Sequence, residues 1–420
     1  MRQLCKPPIA FLNIFRQTHR MIHEITIENF DSIRDEITID FRVARHAPNI
    51  ARFRPSLSRP DVRLPTVMAF VGPNGSGKST VLRAIIATLY FAARSSEIHP
   101  SSSIVYFTPF LTQTDQARPT RIEMTFDASW LSETGASWDL FRYELELSRE
   151  EGHLSPSRVS YEALLHAPLG KWRRVFEHKE DGDIFLNRAF GIGKAEKSIR
   201  DAISSNRSVI SVLASLFQNP FATRIWEDIV SLQTNLMGVN PNQQQLAQFF
   251  ADHPDRLEQL NQELRRIDVG ISKMSIQRTI NGPALCAEHH GLDVPIVFEK
   301  ESSGTKHFTT LFPGISFVLA SGRMLIADEF DRDLHPDLVL EIISWFQSQE
   351  RNPHGAQLLC TLHNSAVLEF LEKEELFLVE KSSDGATDVW SAQDIKGLRR
   401  QPNLYRKYMQ GALGAMPRIG

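Results

Sequence analysis

Two short stretches of this sequence contain residues whose types and spacing suit phosphate chemistry. Residues 72–79 read GPNGSGKS, which fits the pattern G-x-x-x-x-G-K-[ST]. Residues 324–329 read MLIADE, so the acidic pair Asp328 and Glu329 ends an apolar run. A glycine-rich backbone with a lysine can surround phosphate oxygens, while carboxylates can hold a divalent cation or polarise a water molecule. The two stretches therefore predict a site for phosphates and a metal ion.

The surroundings of the first stretch support its interpretation as a phosphate loop. The apolar run TVMAFV precedes it as a buried strand would, and residues 79–94 have helical apolar spacing. Glycines let backbone N–H groups turn inward around phosphates, and the following helix N-terminus adds partial positive charge. We expect Lys78 to reach the β- and γ-phosphates of a nucleotide and the Ser79 hydroxyl to ligate Mg²⁺, which alone does not distinguish kinases, GTPases and ATPases. The residues predicted to bind the nucleotide here are Gly72, Asn74, Gly75, Gly77, Lys78, Ser79 and Thr80.

The acidic pair is predicted to supply metal and water chemistry at the same place. A buried strand of a parallel sheet that ends in an acid places this acid near the phosphate loop. Asp328 would then hold Mg²⁺ together with Ser79, directly or through water, and Glu329 would position or polarise the attacking water. Acids at strand ends also form structural ion pairs, but the phosphate loop favours the functional interpretation.

A histidine follows the next predicted strand. Residues 357–365 read QLLCTLHNS, and His363 lies 35 positions after Asp328, about one strand–helix–strand step. In an ordered parallel sheet, this spacing predicts that His363 lies at the same carboxyl edge as Asp328. A histidine after a strand is often a surface residue, but at this edge it could contact the γ-phosphate. We therefore expect His363 to be catalytic together with Glu329.

The elements that must position these residues alternate between strand and helix patterns. Period-two alternation at 21–42, 120–127 and 141–148 predicts an antiparallel layer, with edge strands in the first range. Residues 196–268 have a helical pattern, and strand character returns at 294–298. The predicted fold class is α/β, a P-loop NTPase with an antiparallel β layer and a helical insertion. The predicted division is a flexible extension at 1–20, an N-terminal lobe with the phosphate loop at 21–150, a mostly helical insertion at 151–285, a C-terminal lobe at 286–385 and a tail at 386–420.

Composition narrows the class of protein. The chain has 420 residues, of which 42% are hydrophobic, and a formal net charge of −3, which neither requires nor excludes nucleic acid as a partner. No run of about 18 apolar residues occurs, so no membrane contact is expected. The cysteines Cys5, Cys286 and Cys360 are far apart and predict neither a disulfide framework nor a zinc hook. These features favour a cytoplasmic protein.

Residues 301–308, ESSGTKHF, resemble a polar surface turn when taken alone. Their place in the order of motifs resembles ABC-type ATPase heads, including the structural-maintenance and recombination-repair branch, where an LSGGQ-type signature loop precedes the Asp-Glu strand. Gly304 lies 24 residues before Asp328, which suits that order, although ESSGTK departs from LSGGQ. The resemblance implies that this loop completes the site of a second copy. Ser303 and the backbone N–H of Gly304 would bind its γ-phosphate, with Lys306 adding positive charge.

Several blocks resemble the stand-alone bacterial ATPases of the overcoming-lysogenization-defect group. These blocks are ENFDSI, GPNGSGKST, ESSGTK, DEFDRDLHP, TLHNS and the ending NLYRKYMQGALGAMP, which is similar to a YxxGxxGxxP ending. The resemblance implies ATP-driven sensing in phage defence with a nuclease as effector. Some members carry a Toprim nuclease, for which Glu380 would be the first acid. Only about 40 residues follow Glu380 and no later DxD pair exists, so the effector is predicted to be a separate protein.

Two other functions remain open at this level. A DNA-repair or DNA-tethering ATPase fits the motifs, although no long coiled-coil pattern is present. A transporter's nucleotide-binding subunit fits poorly, because 226 residues separate Lys78 from Gly304. His289, His290 and Asp293 could be a metal cluster, but the lack of a sensibly spaced fourth ligand favours an ordinary loop.

Overall fold

A computed structural model gives the fold, and it describes residues 21–99, 102–104, 106–132, 135–149, 155–230, 232–236, 242–267, 270–400 and 403–416. The predicted extension at 1–20, which includes Cys5, lies outside the described residues, and so does Pro417 of the predicted YxxGxxGxxP ending.

The strands within the described residues are, in chain order, β1 (Ile22–Glu28), β2 (Ile37–Asp40), β3 (Phe53–Pro55), β4 (Arg63–Pro65), β5 (Val67–Val71), β6 (Thr120–Ser132), β7 (Gly135–Ser148), β8 (Arg158–His166), β9 (Arg173–Lys179), β10 (Ile184–Leu186), β11 (Gln233–Thr234), β12 (Ile271–Thr279), β13 (Gly282–His289), β14 (Ile296–Val297), β15 (Met324–Ala327), β16 (Gln357–Leu362), β17 (Leu376–Lys381) and β18 (Thr387–Ser391).

The α-helices within the same residues are α1 (Lys78–Arg94), α2 (Glu196–Ala202), α3 (Val209–Ser215), α4 (Pro220–Val230), α5 (Gln243–Asp252), α6 (Pro254–Ile267), α7 (Ser303–Ser321), α8 (Pro336–Gln347) and α9 (Leu404–Met409). A 3₁₀ helix at Ser365–Phe370 follows β16. None of the described helices combines the length and the apolar character that crossing a membrane requires.

One sheet is a seven-stranded antiparallel layer with the order β10-β9-β8-β7-β6-β1-β2. Its strands alternate buried and half-buried side chains, as β1 shows with Ile25 and Ile27 buried between Glu24, Thr26 and Glu28. The predicted antiparallel layer at 120–127 and 141–148 is confirmed by the pairing of β6 with β7. The edge prediction is right for β2 only, because β1 pairs on both sides, with β2 and with β6.

The second sheet is mostly parallel and has the order β11-β15-β16-β5-β17-β18. The pairs β11·β15, β15·β16, β16·β5 and β5·β17 are parallel, and β18 adds an antiparallel edge. Strand β5 leads into the phosphate loop, β15 into Asp328, and β16 into His363. Because the carboxyl ends of parallel strands meet at one edge, these three sites converge as the motif spacing predicts.

The parallel sheet separates two hydrophobic cores. Alternate residues of β15 illustrate this, since Met324 and Ile326 pack in the core that contains α1, while Leu325 and Ala327 pack in the core that contains α7 and α8. The helix that follows the phosphate loop and the helix that contains most of ESSGTKHF therefore lie on opposite faces of this sheet.

The predicted mostly helical segment at 151–285 is wrong for two parts of its length. Residues 158–186 contain β8, β9 and β10, which extend the antiparallel sheet beyond β7. Residues 271–289 form the hairpin β12–β13. Helices α2 to α6 occupy 196–267, where the helical pattern was seen. Sequence periodicity does not reveal these strands, because each depends on a neighbouring strand: β8 pairs with β7, β9 with β8, β10 with β9, and β12 with β13.

Candidate functional site

The backbone of the phosphate loop has a conformation that requires glycine at several positions. Gly75 and Gly77 have φ angles of 75° and 107°, in the left-handed region that L side chains rarely adopt. A Cβ on Gly72 would lie 2.0 Å from the Val379 carbonyl oxygen, and one on Gly77 would lie 2.1 Å from Thr387 Oγ1. The glycines of the motif are therefore needed here for backbone conformation and for close approach.

Helix α1 presents a cationic N-terminus to this loop. It begins at Lys78, directly after Gly77, and its first turn contains no acidic residue. The Lys78 amine is buried and donates to the carbonyl oxygens of Gly72 at 2.8 Å and Pro73 at 3.0 Å. Burial lowers the pKa of Lys78, and the negative charge of Asp328 is the main effect that opposes this shift. A partly desolvated cation at a helix N-terminus favours an anionic ligand.

Ser79 and Asp328, which were predicted to bind Mg²⁺, are in direct contact. Ser79 Oγ donates to Asp328 Oδ1 at 2.9 Å, and Thr361 Oγ1 donates to the same oxygen at 2.6 Å. Two neighbouring ligands of an octahedral Mg²⁺ with bonds of about 2.1 Å lie about 3 Å apart. The Ser79–Asp328 separation therefore fits this metal, which would take its other ligands from phosphates and water.

Asn235 supports Asp328 and was missed in the sequence. Its amide nitrogen donates to the Asp328 carbonyl at 2.8 Å, and its amide oxygen accepts from the Asp328 backbone N–H at 2.8 Å. Asn235 follows β11, which pairs in parallel with β15, so it lies at the same sheet edge. A two-residue strand gives almost no periodic signal, and only the long-range pairing reveals the role of Asn235.

Glu329 begins a tight turn at the end of β15. Its φ angle is 47°, and its backbone N–H donates to Thr361 Oγ1 at 2.7 Å. One carboxylate oxygen accepts from Arg332 at 3.1 Å, and the other lies 3.8 Å from His363 Nε2. The structure thus brings the two predicted catalytic residues together. Both side chains are partly exposed, at 45% for Glu329 and 41% for His363.

Asp331 fixes the backbone that carries His363. Its buried carboxylate accepts from the His363 backbone N–H at 2.9 Å and 3.1 Å, and from the Asn364 backbone N–H at 2.6 Å. The turn after β15 and the loop after β16 are therefore joined. An open cleft of ≈ 670 Å³ lies against this junction and is lined by Glu329, Asp331, Arg332, Leu334, His363 and Asn364.

ESSGTKHF is the start of a helix, which corrects its description as a surface turn or loop. Ser302 is the N-cap of α7, and its hydroxyl accepts from the Thr305 backbone N–H at 3.1 Å. Ser303 is exposed and Gly304 is half-buried in the first turn. The Lys306 amine donates to the Glu299 carbonyl at 3.2 Å. The turn signals seen in the sequence are those of a helix N-cap, where serine is also favoured.

Thr387 and Ser32, which lie far from the phosphate loop in the sequence, support it through hydrogen bonds. Thr387 Oγ1 donates to the Ser76 carbonyl at 2.8 Å and contacts Ser32 Oγ at 2.8 Å. Ser32 Oγ also bonds Thr80 Oγ1 at 3.1 Å. The nucleotide contact of Thr80 stays a prediction, because its hydroxyl is used in this network and its backbone N–H donates to the Gly77 carbonyl at 3.0 Å. Ser32 belongs to the block ENFDSI, whose resemblance to a known group predicts no role for Ser32. No sequence motif includes Thr387.

His289, considered above as a metal ligand, and Glu380, considered as a nuclease acid, both have hydrogen-bond partners that give them structural roles. His289 Nε2 pairs with Glu301 Oε1 at 2.8 Å, which ties the β13 end to the residue before the α7 N-cap. Glu380 on β17 accepts from the Ala415 backbone N–H at 3.1 Å, so it anchors the C-terminal tail.

This geometry defines the class of the protein. A glycine loop joins a buried parallel strand to a helix, and an acid ends the strand two positions away in the sheet, which is the arrangement of a P-loop NTPase. The chain belongs to the family described as "AAA domain, putative AbiEii toxin, Type IV TA system", whose profile matches residues 67–369. It is thus an AAA-family domain of the ATPase type.

The chain is similar to the SMC head domain from Thermotoga maritima, with 16% identity, a TM-score of 0.39, and coverage of 88% of this chain and 98% of that one. An SMC head bound to the C-terminal winged-helix domain of ScpA gives 15% identity, a TM-score of 0.40, and coverage of 88% and 97%. The comparison with curated proteins gives no significant match.

Proposed function

We propose that this protein binds ATP with Mg²⁺ at the phosphate loop and hydrolyses it to ADP and phosphate. The observation that carries the proposal is the direct contact of Ser79 Oγ with Asp328 Oδ1 at 2.9 Å, with Glu329 next in the chain. This contact, at one sheet edge beside a cationic helix N-terminus, supports a metal-binding role for Ser79 and Asp328 and a role as base for Glu329. Mg²⁺, when bound, withdraws charge from the β- and γ-phosphates.

Each side chain has a distinct role in this proposal. Lys78 and the first N–H groups of α1 neutralise the phosphates. Glu329 orients the attacking water and takes up its proton, while His363, 3.8 Å from that carboxylate, donates toward the γ-phosphate. Thr361 bonds both the Asp328 carboxylate and the Glu329 N–H, so one hydroxyl sets the relative position of the metal ligand and the base.

We further propose that the site is completed by a second copy of the chain. Helix α7 lies across the parallel sheet from α1, which supports a role for its N-terminus outside its own phosphate loop. This N-terminus has exposed Ser303 and no acidic residue in its first turn. Ser303 and the Gly304 N–H would therefore bind the γ-phosphate held by the partner copy, and ATP would join two heads.

The cellular role we infer is that of a cytoplasmic sensor that regulates a separate effector, such as a nuclease, in antiphage defence. The family description names an AbiEii toxin and a type IV toxin–antitoxin system, which supports this role. The sequence blocks shared with the overcoming-lysogenization-defect group support it as well. The alternative is a DNA-repair or DNA-tethering ATPase, for which nucleic acid would be the partner.

The first experiment replaces the proposed base. Glu329→Gln keeps the shape of the side chain but cannot accept a proton, so ATP binding should persist while kcat falls about 10²–10³-fold. Binding is measured by calorimetry and turnover by phosphate release. Glu350→Gln, an exposed change of equal charge, is the matched control. Turnover of Glu329→Gln near that of the control would refute the assignment of Glu329.

The second experiment tests whether two chains share one site. Ser303→Arg should bind ATP as a monomer but neither pair nor turn over, and Lys78→Ala should not bind ATP. When the two variants are mixed in equal amounts, each dimer that forms contains one copy of each variant and therefore one intact composite site. Up to half of the wild-type turnover should then return. No recovery in the mixture would contradict a site shared between chains.

The effector is sought by purification of the tagged protein from its native host. Co-purification of a nuclease whose toxicity appears when it is released would support the defence role. Stimulation of ATP turnover by duplex ends or gaps, without such a partner, would instead support the DNA-repair alternative.

A further inference from the structure

We propose that the C-terminal segment, residues 403–416, positions the phosphate loop, so that closure of this segment and ATP binding favour each other. The inference rests on the proposed function, because it needs ATP at the phosphate loop. It gives a role to the YxxGxxGxxP-like ending, whose residues take no part in the nucleotide site described above. The segment would contact no reacting atom, so its residues are positioning residues.

The tyrosine and the glycines of this ending fold the segment back on itself. Gly411 and Gly414 turn the chain after α9 with φ angles of 72° and 76°, in the left-handed region. The Tyr408 hydroxyl donates to the Ala415 carbonyl at 2.8 Å, and both residues are buried. Ala415 has a φ of 55°, a conformation that costs a non-glycine residue free energy and persists only where its surroundings fix it. The shape of the segment therefore depends on its contacts.

The hairpin of β17 and β18 supplies these contacts. The Ala415 backbone N–H donates to Glu380 Oε2 at 3.1 Å. Gly414 lies against the indole ring of Trp390, because a Cβ on this glycine would lie 2.8 Å from Trp390 Cζ2. Glu380 is on β17 and Trp390 is on β18, so the C-terminal segment contacts both strands of the hairpin.

The same hairpin contacts both ends of the phosphate loop. The Val379 carbonyl approaches Gly72 so closely that a Cβ there would lie 2.0 Å from its oxygen. This carbonyl and the Glu380 N–H belong to one planar peptide unit, so the backbone of Glu380 cannot shift without moving it. On β18, Thr387 Oγ1 donates to the Ser76 carbonyl at 2.8 Å. The hairpin thus joins the C-terminal segment to the phosphate loop through direct contacts.

A shift of Gly72 would reach the cation of the nucleotide site, because Lys78 Nζ donates to the Gly72 carbonyl at 2.8 Å. With the C-terminal segment open, β17 would lose the contacts at Glu380, and the Val379 carbonyl would be less firmly placed against Gly72. The phosphate loop would then be less well preorganised for ATP, and part of the binding free energy would be used to order it. The expected effect is a weaker affinity for ATP rather than a slower chemical step.

This coupling is reciprocal by thermodynamic necessity. If closure of the segment strengthens ATP binding by some factor, ATP must favour closure by the same factor. We expect a factor of about 3 to 10, as the loss of one or two hydrogen bonds or close contacts implies. A segment that only packs on the surface of the fold would not respond to ATP at all.

Hydrogen exchange of the wild-type chain measures this response. The Ala415 N–H is bonded to Glu380, so it exchanges when the segment opens. A non-hydrolysable ATP analogue with Mg²⁺, at saturation, should slow exchange in residues 404–416 about 3- to 10-fold. Lys78→Ala, which should not bind the analogue, should show no slowing. Equal exchange with and without analogue, in wild type that binds it, would overturn the proposal.

Ser303→Arg separates this effect from coverage of the segment by a second copy. This variant should bind the analogue without pairing, and its residues 404–416 should show the same slowing as wild type. Slowing that occurs in wild type and is lost in Ser303→Arg would assign the protection to pairing, and would likewise overturn the proposal.

Two glycine variants test the contact with Trp390. Gly414→Ala and Gly411→Ala add the same methyl group at nearly the same φ, so their backbone strain should be similar. Apart from chain neighbours, no described residue lies within 4 Å of a Cβ on Gly411, whereas one on Gly414 meets Trp390. We expect Gly414→Ala to bind ATP about 3- to 10-fold more weakly, with kcat at saturating ATP within about twofold of wild type. Gly411→Ala should bind within about twofold of wild type, and equal affinities of the two variants would contradict the inference.

Calorimetry on the wild-type protein keeps this inference apart from the proposed function. Failure of wild type to bind ATP would refute the proposed function and this inference with it. Binding of ATP without any change of exchange in residues 404–416 would refute this inference alone. If Gly414→Ala does not fold, the exchange measurement on the wild-type chain still decides the question.

Discussion

Glu375 makes the stability of this protein depend on pH near neutrality. The carboxyl group lies just before β17, fully buried, and accepts from the Glu372 N–H at 2.8 Å, Gln347 Nε2 at 2.9 Å and Arg52 Nη1 at 3.0 Å. Burial is the largest effect and raises the pKa of Glu375 from 4.5 to about 7, although the Arg52 charge opposes it. The folded protein therefore favours the protonated form.

The sign and size of the effect follow from this shift. Between pH 4.5 and pH 7 the folded chain binds more protons at Glu375 than the unfolded chain does, so the free energy of unfolding falls as pH rises. A difference of about 2.5 pKa units corresponds to about 3 kcal/mol of stability that is present below pH 4.5 and lost by about pH 7. Glu375→Gln stays neutral and, with the Gln347 amide turned, can keep its hydrogen bonds.

Denaturant unfolding between pH 5 and pH 8 measures directly how the free energy of unfolding depends on pH. The contribution of Glu375 to the slope of the free energy of unfolding against pH should vanish in Glu375→Gln. At pH 8 the variant should be more stable than wild type by about 1–3 kcal/mol. Glu350→Gln, an exposed substitution of equal charge, should follow the wild-type curve. A Glu375→Gln variant that is less stable than wild type at pH 8 would show that the Arg52 pair outweighs burial, and would refute the reasoning.

Three further outcomes are expected at the nucleotide site. Lys78→Ala should abolish detectable ATP binding in calorimetry, because the amine beside the loop carbonyls is the main cation there; binding at wild-type strength would contradict the phosphate-loop assignment. Thr387→Val removes the hydroxyl that donates to the Ser76 carbonyl, and it should weaken ATP binding about 3- to 10-fold. An unchanged affinity for ATP would show that this hydrogen bond does not support the loop. Asn235→Ala removes both bonds to the Asp328 backbone and should raise the Mg²⁺ concentration for half-maximal turnover about tenfold, whereas an unchanged Mg²⁺ curve would leave Asn235 without a role in holding Asp328.

The parts of the site that could be predicted are those encoded in contiguous residues. The phosphate loop carries its own chemistry in residues 72–79, and the 35-residue step from Asp328 to His363 is long enough for only one strand and one helix between them. The short strand β11 and the hydroxyl of Thr387 could not be predicted from contiguous residues. Strand β11 reaches the site by pairing with β15, and Thr387 reaches it through hydrogen bonds to residues that are distant in the sequence. The strands at 158–186 also depend on pairing that sequence periodicity does not show, since β8 pairs with β7, β9 with β8 and β10 with β9.

ESSGTKHF illustrates a different limit. Serine and glycine favour both turns and helix N-caps, so the composition of the stretch cannot separate the two. Phe308, which ends the stretch, and the apolar residues after it decide the matter by packing α7 against the parallel sheet. What the sequence does indicate correctly is the position of the stretch shortly before the Asp-Glu strand, and this position brings α7 against the turn that follows β15.

The turn from Glu329 to Asp333 combines backbone strain with contacts that fix it. Two non-glycine residues in the left-handed region cost about 1–3 kcal/mol each, which a fold under no other constraint would avoid. The turn is nevertheless fixed from three directions: by Thr361 on β16, by the backbone N–H groups that Asp331 binds, and by the first turn of α7. These contacts make the position of the proposed base depend on the His363 loop and on the helix that would meet a partner. Under the proposed function, the backbone strain is therefore located where pairing of two chains would alter the rate of ATP hydrolysis.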